Sequence, residues 1–391
     1  MNPRVFYPLH NTIKHYPWGS KQAFSTLFAI SDTDGQPQAE IWMGAHPSGC
    51  SVVEQPNGTQ LPLSELINQE PETTLGLRVS QQFGELPFLL KVLAAQSALS
   101  LQVHPEKTYA EQGFLREQQM ASGDYHDGNH KPELVYALTP FMAMNGFRPY
   151  DDIIHHFELL DAPEIKHALA DFKAQRDESG LQHFFIALMQ LETAQRSAAL
   201  ARLEEKNNTG VFPQITPYLK KLIQDYPGDI GLLSPLLLHC ITLDPGEAMF
   251  LWPGTLHAYI QGVAVEVMAN SDNVLRAGLT AKKINLPELV RCTHFHSRPE
   301  NTLTMKPVQE GHFLSYPVPV EDFRFTLSKT NDSVPVMLES VQIILVMSGH
   351  AMLSHANGET LNLVAGQSAF IPASTGEYVL SHQGEVCLVS A

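Results

Sequence analysis

Three blocks of this sequence carry side chains that ligate metals, at spacings a fold can use. In "LSLQVHPEK" (99–107), Gln102 and His104 stand two apart in an alternating apolar run that stops at Pro105. Side chains at i and i+2 of a strand share a face, about 7 Å apart along it, within reach of one ion or one polar ligand. Glu133 lies in "NHKPELVYAL", and His257 follows the Pro253–Gly254 turn in "MFLWPGTLHAYIQG". An amide oxygen, two imidazoles and a carboxylate make a four-ligand set suited to a borderline cation such as Zn²⁺. With one negative charge among its ligands the ion stays net positive and works as a Lewis acid, unlike a closed thiolate cage. Lys131 shares a strand face with Glu133 and sets a cation beside that carboxylate. Spacing alone does not separate such a centre from polar residues of unrelated loops.

Proton-handling groups follow the same logic. "GVAVEVMANSDNVLR" alternates from Val263 to Val267, so Glu266 faces away from its apolar neighbours. Lining a cavity, it would be partly desolvated, with a raised pKa suited to proton transfer. Lys131 is the second candidate. Asp272, four residues before Arg276, either orients that arginine or takes part itself. Arg276, Lys282 and Lys283 lie together in "LRAGLTAKK", and Ser100 precedes the first ligand block by two residues, so donors for an anionic group are present. Lys283 reads as solvated. His294 and His296 beside Cys292 have metal-like spacing but stand outside these blocks, and adjacent His155 and His156 on one helix cannot face a single ion.

The elements that must position these residues are mainly β. Residues 1–150 read as short strands between Gly, Pro and Asn, and strands resume near Leu236. "DDIIHHFELL", "EIKHALADFKAQ", "LQHFFIALMQLETAQRSAALARLEEK" and "ITPYLKKLIQDY" carry helical spacing instead. The expected division is a β domain from 1–150 and 233–297, an all-α insertion at 151–232, and a second β domain at 298–391. "DPGEAMFLWPGTLHAYI" and "VAGQSAFIPASTGEYVL" run alike through Gly, apolar strand, Pro, turn and strand, and resemble the second motif of the cupin superfamily of small jelly-rolls. The first copy keeps a ligand-type histidine, His257; the second has Glu377 and reads as a degenerate, structural cupin-like domain.

The 391 residues carry a formal net charge of −16, which argues against nucleic acid or an anionic membrane as a partner. The opening "MNPRVFYPLHNTIKHYPWGS" has no signal-like apolar core, and no segment has the length of a membrane span. Four scattered cysteines suit reduced thiols in the cytoplasm.

"YPWGS", "AEIWMGAHPSG", "GELPFLLKVLAAQSALSLQVHPEK", "NHKPELVYALTPFMAMNGFR", "GEAMFLWPGTLHAYIQG" and "VEVMANSDNVLRAGLT" together resemble type I mannose-6-phosphate isomerases, in the right order and over essentially the whole chain. The resemblance implies a cupin-type catalytic domain interrupted by a helical insertion. It implies interconversion of mannose 6-phosphate and fructose 6-phosphate through a cis-enediol, with one Zn²⁺ per chain held by Gln102, His104, Glu133 and His257. The last ligand block departs slightly, reading "TLHAY" where the family has "TPHAY". The resemblance makes Arg276 the catalytic arginine and places Ser100, Lys91 and Lys282 around the substrate. Trp18 and Trp42 are candidates to wall a sugar pocket, and His130 to support a ligand, whereas His46 and His126 merely fall in matching blocks. The expected partner is a phosphorylated hexose, and the expected state a monomer or weak homo-oligomer. A cupin-type metal oxygenase and a non-catalytic sugar-binding cupin are the competing readings.

Overall fold

The computed structural model describes residues 4–31, 34–55, 58–120, 123–329 and 332–391; the first three residues of the opening segment lie outside it. At its centre is Phe88–Ala95, "FLLKVLAA", buried along its whole length. A continuous apolar run of this kind suits a strand covered on both faces. It pairs antiparallel with Glu40–Met43 on one side and with the 13-residue strand His257–Ala269 on the other. The same long strand pairs through its second half with Glu133–Ala137 and through its first half with Phe141–Phe147. Its first residue, His257, stands opposite Gln102. One strand therefore gathers segments distant in sequence into a 10-stranded sheet.

That strand is not regular. Its pairing slips between Tyr259 and Gln261, and Gly262 follows with φ +126°. A Cβ on Gly262 would lie 2.5 Å from the Pro140 carbonyl oxygen, so only glycine fits. A bulge adds one residue and reverses the alternation of faces beyond it. His257, Tyr259 and Glu266 consequently face the same interior.

The helices Tyr150–Leu160, Lys166–Ala174, Glu178–Met189, Thr193–Asn208 and Thr216–Asp225 follow one another. The long helical pattern around 181–206 breaks at Glu192, whose side chain and that of Gln195 form a reciprocal capping box. Phe157, Phe184, Leu200 and Leu219 bury into one core with Leu101, Val103, Ala258 and Leu275. The helices thus back the strands that carry Gln102 and His257. Residues 1–150 hold more helix than the expected strands and turns; the longest is Lys107–Met120. The segment after Pro105 is rich in good helix formers but has a weak apolar stripe, so propensity rather than periodicity marks it.

The C-terminal strands form a sandwich. A 9-stranded sheet faces a 4-stranded one across Val334, Ile344, Leu353, Leu380 and Leu388. Its other face shares a core with Phe88, Leu90 and Val265 of the central sheet. Tyr7–His10 belongs to this C-terminal sheet, Tyr7 standing opposite Phe370. Among the described residues no helix is long and apolar enough to cross a membrane.

Candidate metal centre

His104, Glu133 and His257 are buried, and one ligand atom from each lies within 4.8 Å of the others. His104 Nε2 is 3.2 Å from Glu133 Oε1, and His257 Nε2 is 3.5 Å from Glu133 Oε2. The tautomers follow from the opposite ring atoms. His104 Nδ1 donates to the Asn273 carbonyl at 2.6 Å, and His257 Nδ1 to the Thr255 carbonyl at 2.8 Å. In that tautomer each ring turns its Nε2 lone pair toward the carboxylate. Burial, reinforced by the Lys131 ammonium, lowers the His104 pKa to about 4, so its ring is neutral at neutral pH. His104 Nε2 is buried with no hydrogen-bond partner. Lone pairs facing carboxylate oxygens repel, and a cation between them turns that repulsion into coordination. The donor set fits a metal.

Gln102, half-buried, brings its side-chain amide within 3.4 Å of His257 Nε2. Rotation about its last bond exchanges oxygen for nitrogen at that place, so the amide can supply the fourth ligand. Lys131 Nζ lies 3.3 Å from Glu133 Oε1, as the shared strand face suggested. Burial alone would raise the Glu133 pKa, but its cationic surroundings hold it well below the ordinary carboxylate range. With His104 neutral, Lys131 is the neighbour that does this at neutral pH.

A second cluster adjoins the first. Lys91 and Glu266 stand opposite one another across paired strands, both buried, with Nζ 3.1 Å from Oε2. Lys91 Nζ also sits 5.0 Å from the Trp42 ring centroid. Burial raises the Glu266 pKa despite Lys91. The Tyr259 hydroxyl lies 2.9 Å from Glu133 Oε2 and 2.9 Å from Glu266 Oε1. One hydroxyl proton serves one carboxylate at a time, so Tyr259 links the two clusters through a single mobile proton. Tyr259 was missed in the sequence, although the i, i+2 rule that joins Gln102 to His104 also joins His257 to Tyr259. Asn273, whose carbonyl fixes His104 and whose side chain is held by Asp127, was missed too; loop contacts of this kind leave no periodic signal.

Arg276 stands opposite Gln102, which stands opposite His257, so the three form one row across adjacent strands. Half-buried, its guanidinium has no hydrogen bond or ion pair among the described residues, and desolvation lowers its pKa. Asp272 does not pair with it: its carboxylate meets His46 Nε2 at 3.5 Å and the Ser48 hydroxyl at 2.9 Å. Ser100 lies half-buried just before the strand Leu101–Val103. Lys282 is exposed in the loop beyond Arg276, and Trp18 is half-buried with its ring stacked on Tyr16. His130 contacts both oxygens of buried Asp322 at 3.1 Å. His294 meets Glu106 at 3.2 Å, apart from the metal-capable cluster.

A jelly-roll enclosing two imidazole nitrogens and a carboxylate defines a metal-capable cupin-type protein. Residues 6–150 match the profile described as phosphomannose isomerase type I, catalytic domain, and residues 312–391 that of the mannose-6-phosphate isomerase cupin domain. The chain is 43% identical over 391 residues to the mannose-6-phosphate isomerase of Escherichia coli, covering 97% of this chain and 98% of that one. It is 36% identical over 409 residues to the human protein of that name, with 95% and 94% covered. Crystal structures of phosphomannose isomerase variants from Salmonella typhimurium superpose with a TM-score of 0.94 at 41% identity, covering 99% of both chains. The chain belongs to the type I phosphomannose isomerase family and is, with it, an isomerase.

Proposed function

We propose that this chain interconverts mannose 6-phosphate and fructose 6-phosphate through a cis-enediol, with one Zn²⁺ held by Gln102, His104, Glu133 and His257. The observation that carries the metal is the convergence of two buried imidazole Nε2 atoms, one of them partnerless, on one carboxylate. The substrate rests on the full-length likeness to proteins named for that reaction. Bound there, zinc supplies a Lewis acid for the sugar carbonyl. Glu266, desolvated and poised by Lys91, takes the proton from one sugar carbon and returns it to the next. Tyr259 holds Glu133 and Glu266 in register. Lys131 hydrogen-bonds the sugar oxygens, and Arg276, with no partner of its own, steadies the enediolate. Asp272 fixes the loop that leads into Arg276. Ser100 and Lys282 hold the phosphate, Lys91 acts on substrate through Glu266, and Trp18 walls the entrance.

The three-part division at 1–150 with 233–297, 151–232 and 298–391 belongs to this reading. So does a monomer in the cytoplasm, where four free cysteines remain reduced. The test is a coupled assay for fructose 6-phosphate with elemental analysis of the same sample. Turnover should vanish on chelation and return with zinc, at one equivalent per chain. Undiminished turnover in the stripped protein, or no conversion of mannose 6-phosphate, overturns the reading.

A further inference from the structure

We propose that the open end of the C-terminal sandwich binds a neutral polyhydroxylated molecule of hexose size, in a site separate from the metal centre. A cavity of about 440 Å³ lies there, lined by Ser315, Thr326, Gln342 and Ser390 among apolar neighbours. That volume falls within the range of small-molecule sites, roughly 300–1,000 Å³.

The strand register explains how the site is built. Ser315 stands opposite Thr326, and Thr326 opposite Leu388. One row further along, Arg324 stands opposite Ser390, and Ser390 opposite Gln342. Directly opposed residues share a face of the sheet. This is the face whose other positions, Ile344, Val346, Val386 and Leu388, make the sandwich core. Toward the open end, aliphatic side chains on that inner face give way to hydroxyls and an amide.

Those polar groups have little to bond within the protein. Gln342 is only 7% exposed, and the fully buried Tyr378 donates to its Oε1 at 2.6 Å. That bond fixes the amide orientation, and its nitrogen has no hydrogen-bond partner among the described residues. The hydroxyls of Ser315, Thr326 and Ser390 are likewise without partners among the described residues. Gln342 lines the cavity, where a ligand oxygen can accept from its amide nitrogen in a hydrogen bond worth about 0.5–1.5 kcal/mol net.

The charges at the rim select against an anion. Glu310 and Glu339 oppose a single guanidinium, Arg324, which already meets Glu339 at 3.1 Å. What remains is a row of neutral donors and acceptors beside the apolar walls of Phe313, Val336 and Leu388. A pyranose or furanose matches it, with hydroxyls around its edge and C–H groups on its faces.

The probes are D-mannose and D-fructose, with their 6-phosphates as the anionic arm, titrated into the zinc-loaded full chain by ligand-observed NMR. Saturable binding of a free hexose should weaken at least tenfold in Thr326→Trp, which fills the cavity, and in Ser390→Val, which removes a hydroxyl. Both variants should keep normal isomerase kinetics, which also reports their folding, and His257→Ala should leave hexose binding intact. Gln342→Leu tests the amide but also strips Tyr378 of its acceptor, so the other two variants decide. No saturable binding by either hexose, equal binding by both cavity variants, or loss of binding in His257→Ala overturns the proposal. Preference of this cavity for the 6-phosphates refutes the neutral ligand.

Discussion

Replacing Lys91 with Met tests the charge arrangement behind the metal centre more sharply than removing a ligand does. Lys91 and Glu266 face each other at 3.1 Å, each almost wholly buried. At an effective dielectric near 20, that separation corresponds to about 5 kcal/mol of attraction. Removing one member of a buried pair characteristically costs about 3–5 kcal/mol, because the other charge stays behind uncompensated. Lys91→Met should therefore lose about 3–5 kcal/mol in urea unfolding of the zinc-loaded protein. Glu266→Gln in the Lys91→Met background should recover most of that loss, since it removes the orphaned carboxylate. Lys91 is the largest influence lowering the Glu266 pKa, which burial has already raised. Without it the acid limb of the kcat/KM profile should move to higher pH, while bound zinc stays at one equivalent. Single and double variants that add within about 0.5 kcal/mol, together with an unmoved acid limb, would refute the coupling.

His257→Ala should lose zinc and turnover together, read by elemental analysis and the coupled assay. Arg276→Ala should keep its zinc and lose about 10²–10³ in kcat, the scale of one donor to developing charge. Gly254 sits at φ +82°, and a Cβ there would approach the His294 ring to 2.6 Å. Its N–H also donates to the His104 carbonyl, so Gly254→Ala should cost about 1–2 kcal/mol of stability and weaken zinc binding in a chelator competition. In the metal-stripped protein His104 is held neutral to about pH 4, whereas the unfolded chain protonates it near pH 6.5. Stability from this ring is complete above pH 6.5 and drains away toward pH 4, by about 3 kcal/mol. A denaturation midpoint for stripped protein that is flat over that interval contradicts the assignment.

The candidate ligands were legible because they sit in short blocks, within or just beside strands whose repeat sets their spacing. Gln102 beside His104, and Lys131 beside Glu133, need only the two-residue repeat. Glu266 was legible as a residue facing away from its valines, but not as a neighbour of Tyr259, because the bulge before Gly262 changes which side each one takes. The burial of Lys91 was hidden for a related reason. Only pairing with a strand far downstream reveals that its ammonium is spent on Glu266. Asp272 was read as a companion of Arg276 from their four-residue spacing, yet the chain between them is no helix, and Asp272 turns instead to His46 and Ser48. The helix Lys107–Met120 escaped notice because helix propensity there speaks more softly than periodicity.

The strand Tyr7–His10 leaves the ribosome hundreds of residues ahead of its neighbour Ser368–Ile371. The backbone amides of Val5 and Phe6 bind Glu359, more than 350 positions downstream. Until those downstream residues emerge, only Leu9 and His10 of this segment have a partner strand, at Val53 and Val52, while Val5, Phe6, Tyr7 and Pro8 lack theirs. Nascent chains stalled before residue 360 should therefore be cut readily by protease around Val5–Pro8, while the central sheet is already protected.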